Sequence, residues 1–246
     1  MIYIVGVMGY LGQSLMNYLS DRGHDVTGLM RESFLPIFRS EDTIINCAAS
    51  GYRRRVYDIE QTVYDNWTTP LVLNTWNAGV ANHIHFSSWT EECAPHHPYS
   101  RAKGLATDYL KDKAHICMLC SIWGGPYESP DKFMMGFLKA CAKGEPYTLT
   151  HPFRQRDYVH VDTFCEEVEG LIFHKDYKMR YFATGRLRSF HEVFHTLRNI
   201  TNREFPNVVM VNENLSTDYD WRALNPIFED TFRDDLRKEW RNVCGS

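Results

Sequence analysis

Tyr99 and Lys103 lie four residues apart in the run Tyr99-Ser100-Arg101-Ala102-Lys103. On a helix, positions i and i+4 share a face, so a phenol and an ammonium come side by side. A free phenol loses its proton near pH ~10, too high for efficient acid/base work at neutral pH. A neighbouring cation favours the phenolate and lowers that value. The pair can then pass a proton to or from a carbinol oxygen. Ser88 follows the apolar run His83–Phe86 and offers a hydroxyl to the same oxygen, with Thr90 as the alternative. Tyr109 and Lys113 repeat the spacing. They lie nearly three turns further on, at ~3.6 residues per turn, and so away from the end of the helix where Tyr99 begins.

A proton relay of this kind needs a hydride partner, and the start of the chain suggests one. The apolar run Ile2–Val5 is followed by Gly6, Gly9 and Gly12, and then by an amphipathic pattern from Tyr10 to Arg22. Strand, glycines and helix in this order form a tight turn that brings backbone close to a pyrophosphate at a helix N-terminus. Gly6, Gly9, Tyr10, Leu11 and Gly12 are the residues expected at that ligand. The second strand, Val26–Leu29, is followed by Met30 and Arg31, with Glu32 only after it. An acid at this place binds the ribose hydroxyls of NAD, whereas an arginine accommodates the extra phosphate of NADP. Arg31 therefore points to NADP(H) over NAD(H).

The rest of the chain supplies elements to hold these groups. Further strands are expected at Thr43–Asn46, His83–Phe86 and Ile116–Leu119, with helices over Ile59–Ala78 and Tyr99–Lys111 between them. This alternation means a parallel sheet with crossover helices, an α/β doubly wound fold of Rossmann type. After Gly124 the pattern loosens. A helix over Lys132–Lys143, a strand over Tyr158–Val161, a helix over Thr163–Phe173 capped by Asp162, and a return to the sheet at Met179–Ala183 are expected. A charged helix near Glu229–Arg241 belongs to a smaller C-terminal lobe. Residues 1–125 and 153–184 are assigned to the dinucleotide-binding part, and 126–152 and 185–246 to a substrate-binding lobe.

Taken together, these residues resemble the extended short-chain dehydrogenase/reductase family, the NAD(P)-dependent nucleotide-sugar epimerases, dehydratases and 4-keto reductases. The run Ile44-Ile45-Asn46-Cys47-Ala48-Ala49 resembles the family's strand ending in a double alanine beside the cofactor, and Asn66 with Thr69 resembles its next helix. Pro98 to Lys103 resembles the active-site helix, and Gly124-Gly125-Pro126 the turn before the substrate lobe. The most specific match is Arg154-Gln155-Arg156-Asp157-Tyr158-Val159-His160-Val161-Asp162. The resemblance implies that Lys103 holds the ribose and tunes Tyr99, that Ala48, Ala49 and Asn66 line the cofactor site, and that Arg156 reaches a nucleotide diphosphate. Bidentate guanidinium geometry suits that last role. Ser121 stands where the family has an asparagine that contacts the sugar nucleotide.

Two departures narrow this resemblance. About ten residues separate Arg31 from the strand beginning near Asp42, where the family usually has another strand unit that helps to hold adenine. The loop from Ser88 to Tyr99 is also short. The short loop and the Arg31 position are similar to reductases of 4-keto sugar nucleotides. Within enzymes the rival is a 4-epimerase, and outside them a non-catalytic NADP-binding sensor.

Other readings are excluded or left structural. A net charge of -4 gives no basic footprint for nucleic acid. No apolar run approaches the ~20 residues needed to span a membrane. Glycines follow the first apolar run at once, unlike a signal peptide. Seven scattered cysteines fit a reducing, cytoplasmic compartment. Cys117 and Cys120 lie on a strand pattern, and His83, His85, His96 and His97 have no supporting ligand spacing, so no metal is expected. Gly51-Tyr52-Arg53-Arg54-Arg55 reads as a solvated basic turn. The helices Ile59–Ala78 and Tyr99–Lys111 offer a four-helix homodimer interface, as is common in the family.

Overall fold

The computed structural model describes residues 1–30, 35–49, 62–77, 81–211 and 227–245. The chain forms two compact units, Met1–Leu119 with Thr163–Phe182, and Cys120–Asp162 with Ala183–Ser246. Residues 120–125, 153–162 and 183–184, assigned to the dinucleotide-binding part from sequence, fall in the second unit.

The first unit is built on six parallel strands in the order β2-β1-β3-β4-β5-β9. They are β1 (Ile2–Val5), β2 (Val26–Leu29), β3 (Thr43–Asn46), β4 (Asn82–Ser88), β5 (His115–Leu119) and β9 (Met179–Phe182). Every residue of β3, β4 and β5 is buried, as expected for a parallel sheet covered on both faces. The connections include α1 (Tyr10–Asp21), a π-helical turn at Tyr64–Thr68 running into α2 (Thr69–Asn77), the short α3 (Thr90–Cys93), α4 (Pro98–Leu110) and α6 (Val161–Leu171). In α1, Leu15 and Leu19 are fully buried. Tyr18, Arg22 and His24 all reach Glu169 and tie α1 to α6.

The strand order places the switch between β1 and β3: β1 pairs with β2 on one side and with β3 on the other. Ligands of open α/β sheets bind outside the carboxyl ends of the strands at such a point. Among the described residues β2 is the edge of the sheet, and no further strand lies between β2 and β3 in the chain. Phe38, between β2 and β3, packs edge-on against Tyr3 with ring centroids 5.3 Å apart.

The second unit has a three-stranded sheet ordered β10 (Leu187–Ser189), β8 (Gln155–His160) and β6 (Ser121–Trp123), and the pair β7 (Tyr147–Thr150) and β11 (Val208–Val211). Its core brings together Trp123, Phe137, Val193, Leu197, Phe232 and Leu236 from β6, α5 (Phe133–Lys143), α7 (Phe190–Thr201) and α8 (Phe232–Gly245). The sequence reading did not separate out α7, although Ser189 and Glu192 form its capping box: the Ser189 hydroxyl accepts from the Glu192 amide at 3.1 Å, and the Glu192 carboxylate accepts from the Ser189 amide at 2.6 Å. Ser189→Ala is expected to cost about 1 kcal/mol and lower Tm by about 2–4 °C in a thermal melt.

Asp162 does not cap α6. The strand β8 ends at His160 and the helix begins at Val161 with no intervening loop, so Asp162 falls in the first helical turn. Its carboxylate instead takes the Lys238 ammonium of α8.

Candidate active site

The glycine turn forms as expected, for steric reasons at Gly6 and Gly12. Gly6 has φ +77°, a conformation that L side chains rarely adopt, and a Cβ there would lie 2.7 Å from the Ala48 amide nitrogen. A Cβ on Gly12 would run into the Gly6 carbonyl oxygen and lie 2.8 Å from the Val7 Cα. The close passage of α1 over the turn therefore requires glycine. Gly9 takes the N-cap position of α1 and brings no side chain to cap the first turn. Tyr10 and Leu11 open the helix.

A cleft of about 450 Å³ lies beside this turn, lined among others by Gly6, Gly9, Met30, Ala48, Ala49 and Asp65. Its size falls within the usual range for small-molecule sites, ~300–1,000 Å³. The close backbone approach, the N-terminus of α1 and the cleft together fit the phosphate portion of a dinucleotide. Ala48 is fixed by the Asn46 side chain, whose oxygen accepts from the Ala48 amide at 3.1 Å. Asn66 does not line the cleft; it is buried in the π-helical turn, and its amide donates to the Thr62 carbonyl at 2.9 Å. Arg31 and Gly51–Arg55 lie outside the described residues.

Ser88 ends β4, and Tyr99 and Lys103 occupy one face of α4. Pro98 sits at the start of α4, where a missing amide is no loss. The imidazole of His97 accepts the Tyr99 amide at 3.2 Å, so this histidine caps the helix. Lys103 is buried and donates to the Phe86 carbonyl of β4 at 2.7 Å. Burial brings its ammonium down to about 8, opposed first by the negative charge of Glu91. The Ser88 hydroxyl is 2.9 Å from that of Thr90 and also accepts the Thr90 amide.

The phenol of Tyr99 departs from expectation. Burial pushes it up to about 12, a Ser88 hydrogen bond opposes the rise, and the charge of Glu91 adds to it. The i, i+4 spacing places Lys103 on the right face, but the ammonium is directed to a backbone carbonyl and does not make the phenol more acidic. At neutral pH Tyr99 thus holds its proton. Tyr109 is engaged elsewhere: Lys113 lies 3.7 Å over its ring and Trp67 packs edge-on against it.

Glu91 was not singled out by the sequence. It follows Ser88 by three residues, and only the packing of α3 on α4 brings it to the pair. Its carboxylate accepts from Thr107 of α4 at 3.0 Å.

In the second unit, Ser121 on β6 pairs in register with Tyr158 of β8. The Arg156 guanidinium donates to the Gln155 carbonyl at 2.6 Å. Asp157 beside it is buried and receives the Thr184 amide and hydroxyl and the Gly185 amide, which makes it a structural anchor of that turn. Cys117 and Cys120 are buried free thiols, and burial pushes both above the usual thiol range. His83 and His85 are fully buried; desolvation holds His83 down to about 4, and His85 also lies well below its ordinary value, so both are neutral core residues. Among the described residues no group of three histidine, cysteine or acidic side chains could hold a metal, and no helix is long and apolar enough to cross a membrane.

Comparison with known proteins shows the fold and the family. No curated protein matches the sequence. Solved structures share the fold at low identity. The UDP-glucose 4-epimerase of Thermus thermophilus, solved with NAD, is 18% identical, with 100% of this chain and 99% of that chain covered at a TM-score of 0.79. The UDP-N-acetylglucosamine 4-epimerase of Methanobrevibacter ruminantium, solved with UDP-N-acetylmuramic acid, is 16% identical, with 98% and 96% covered at a TM-score of 0.79. The dTDP-glucose 4,6-dehydratase of Bacillus anthracis, solved with NAD, is 14% identical, with 98% and 96% covered at a TM-score of 0.74. The profile of the NAD dependent epimerase/dehydratase family matches residues 2–174, about 70% of the chain, and the protein belongs to that family.

Proposed function

We propose that the chain reduces a keto sugar linked to a nucleoside diphosphate, a 4-keto sugar nucleotide, using NADP(H). The observation that carries this reading is that Ser88, Tyr99 and Lys103 share the carboxyl end of β4 in the same unit as the glycine turn and its cleft. When bound, the nicotinamide supplies a hydride to the carbonyl carbon. Tyr99 donates a proton to the carbonyl oxygen, Ser88 hydrogen-bonds that oxygen, and Lys103 holds the ribose. The resemblance of the sequence assigns Arg156 to the diphosphate and Ser121 to the sugar of such a substrate. The short loop between Ser88 and Tyr99 and the position of Arg31 favour the reductase over its rival, a 4-epimerase.

The presence of NAD and nucleotide sugars in solved relatives supports the two ligand classes. Preference for NADP(H) rests on Arg31 after β2. The remaining parts of this reading are a homodimer, for which Val72 and Trp76 of α2 and Leu105 of α4 expose apolar surface, and a cytoplasmic location, in keeping with the free cysteines.

A thermal-shift panel with NADPH, NADH and nucleoside diphosphates tests the proposal. NADPH at ~100 times its Kd adds about 2.7 kcal/mol and raises Tm by about 5–10 °C. Arg31→Ala should reduce the NADPH response while sparing that of NADH. Equal responses of the wild type to both would remove Arg31 from cofactor selection. With a keto sugar nucleotide, the reductase oxidises one NADPH per turnover; sugar interconversion with no net NADPH oxidation would establish the epimerase instead.

A further inference from the structure

The face of α4 that carries Tyr99 and Lys103 continues one turn later at Thr107, because positions 99, 103 and 107 are spaced by four. Each of the latter two is fastened to β4. Lys103 donates to the Phe86 carbonyl at 2.7 Å, and Thr107 lies 2.9 Å from the Ser87 hydroxyl. Thr107 is also 3.0 Å from a carboxylate oxygen of Glu91, and the other carboxylate oxygen would lie 3.8 Å from a Cβ on Gly104, the residue after Lys103. Glu91 therefore rests on α4 within one turn of the lysine.

The hydroxyl of Thr107 has one proton for two neighbours. When Glu91 is ionised, it receives that proton and Ser87 donates to Thr107 in turn. The chain Ser87→Thr107→Glu91 is then complete and directional. When Glu91 is protonated the carboxyl can itself donate, and the direction reverses.

A buried ammonium needs a compensating charge. Three groups favour the charged form of Lys103: Glu91 foremost, then Cys47 and Asp65. Burial keeps the Cys47 thiol neutral. Glu91 and Asp65 of the π-helical turn remain. The other groups in the field of Glu91 are Asp108 of α4, Tyr99, and Tyr181 of β9.

We propose that Glu91 is a positioning residue for the Tyr99–Lys103 pair: through Thr107 it clamps α4 to β4, and it supplies the negative charge that keeps Lys103 an ammonium. This role deepens the proposed reduction and rests on it for its purpose, but not for its test. Desolvation pushes the carboxyl of Glu91 up and the ammonium of Lys103 down, and the opposite charge of each partner works against both changes.

The test uses the free protein with ¹³C-labelled lysine Cε and glutamate Cδ, read by NMR against pH, with Lys103→Met and Glu91→Gln assigning the two resonances. In Glu91→Gln the Lys103 midpoint is expected to move down by about half a pH unit or more, since a nearby opposite charge has been removed. Should that variant not fold, Thr107→Val serves. Loss of the hydroxyl that favours the carboxylate should raise the Glu91 midpoint and lower that of Lys103. A Lys103 midpoint unmoved by either change overturns the proposal. Coupled titrations in a protein that shows no thermal shift with NADPH would uphold Glu91's role and remove the proposed reaction.

Discussion

Tyr99→Phe is expected to lower the rate of NADPH oxidation with a keto sugar nucleotide by about 10²- to 10⁴-fold, the usual contribution of a positioned proton donor. The change removes one hydroxyl and keeps the ring, so the packing of α4 on β4 should survive. The Ser88 hydroxyl keeps its partner in Thr90 whichever residue stands at position 99. Affinity for NADPH, read by fluorescence titration, should therefore stay within a few-fold of wild type. The fall belongs to kcat, because the proton is needed only as the carbonyl oxygen gains electrons. Full NADPH oxidation by the variant would remove Tyr99 as the proton donor, whereas NADPH binding without turnover in the wild type would place the protein among non-catalytic NADP-binding sensors. The pH dependence of the wild type provides a second check. With the phenol held up to about 12, donation by Tyr99 imposes no loss of rate across neutral pH. The alkaline fall should follow Lys103, which loses its charge as pH rises through about 8.

The other large effect is expected of Gly12→Ala. The added methyl would collide with the Gly6 carbonyl oxygen and stand 2.8 Å from the Val7 Cα, both backbone atoms that cannot rotate aside. Helix α1 must tilt away from the turn. The strain should lower stability by about 1–3 kcal/mol, seen as a lower urea midpoint with little change in slope. Displacement of the helix N-terminus should also abolish most of the NADPH thermal shift. A variant that keeps the full NADPH response would show that the dinucleotide does not sit at this turn.

The legible and illegible parts of this chain divide along physical lines. β1, β2 and β3 match their expected bounds because short apolar runs ending in glycine, loop or polar signals have one solution in a parallel sheet. The glycine turn is legible because close approach excludes a side chain at Gly6 and Gly12. The boundary of α6 was not, because a good capping residue at Asp162 follows a strand that turns into a helix without a loop. α7 is hard to see in the sequence although Ser189 and Glu192 carry its start signal, since the polar residues around them mask the apolar face. At the site, spacing placed Tyr99 and Lys103 on one face but did not choose their hydrogen-bond partners. The lysine's choice of the Phe86 carbonyl, and the arrival of Glu91, depend on packing between elements distant in register. Nothing in a linear pattern encodes that choice.

The edge position of β2 has a kinetic consequence. Among the described residues no further strand lies outside it, and the wall of the cleft beyond Leu29 and Met30 includes Leu35 of the connection to β3. A dinucleotide gripped firmly at its pyrophosphate but lightly at its adenosine end would have a short residence time. That suits an enzyme that must exchange spent cofactor for fresh on every cycle, and it would be a handicap to one that keeps the same molecule through many.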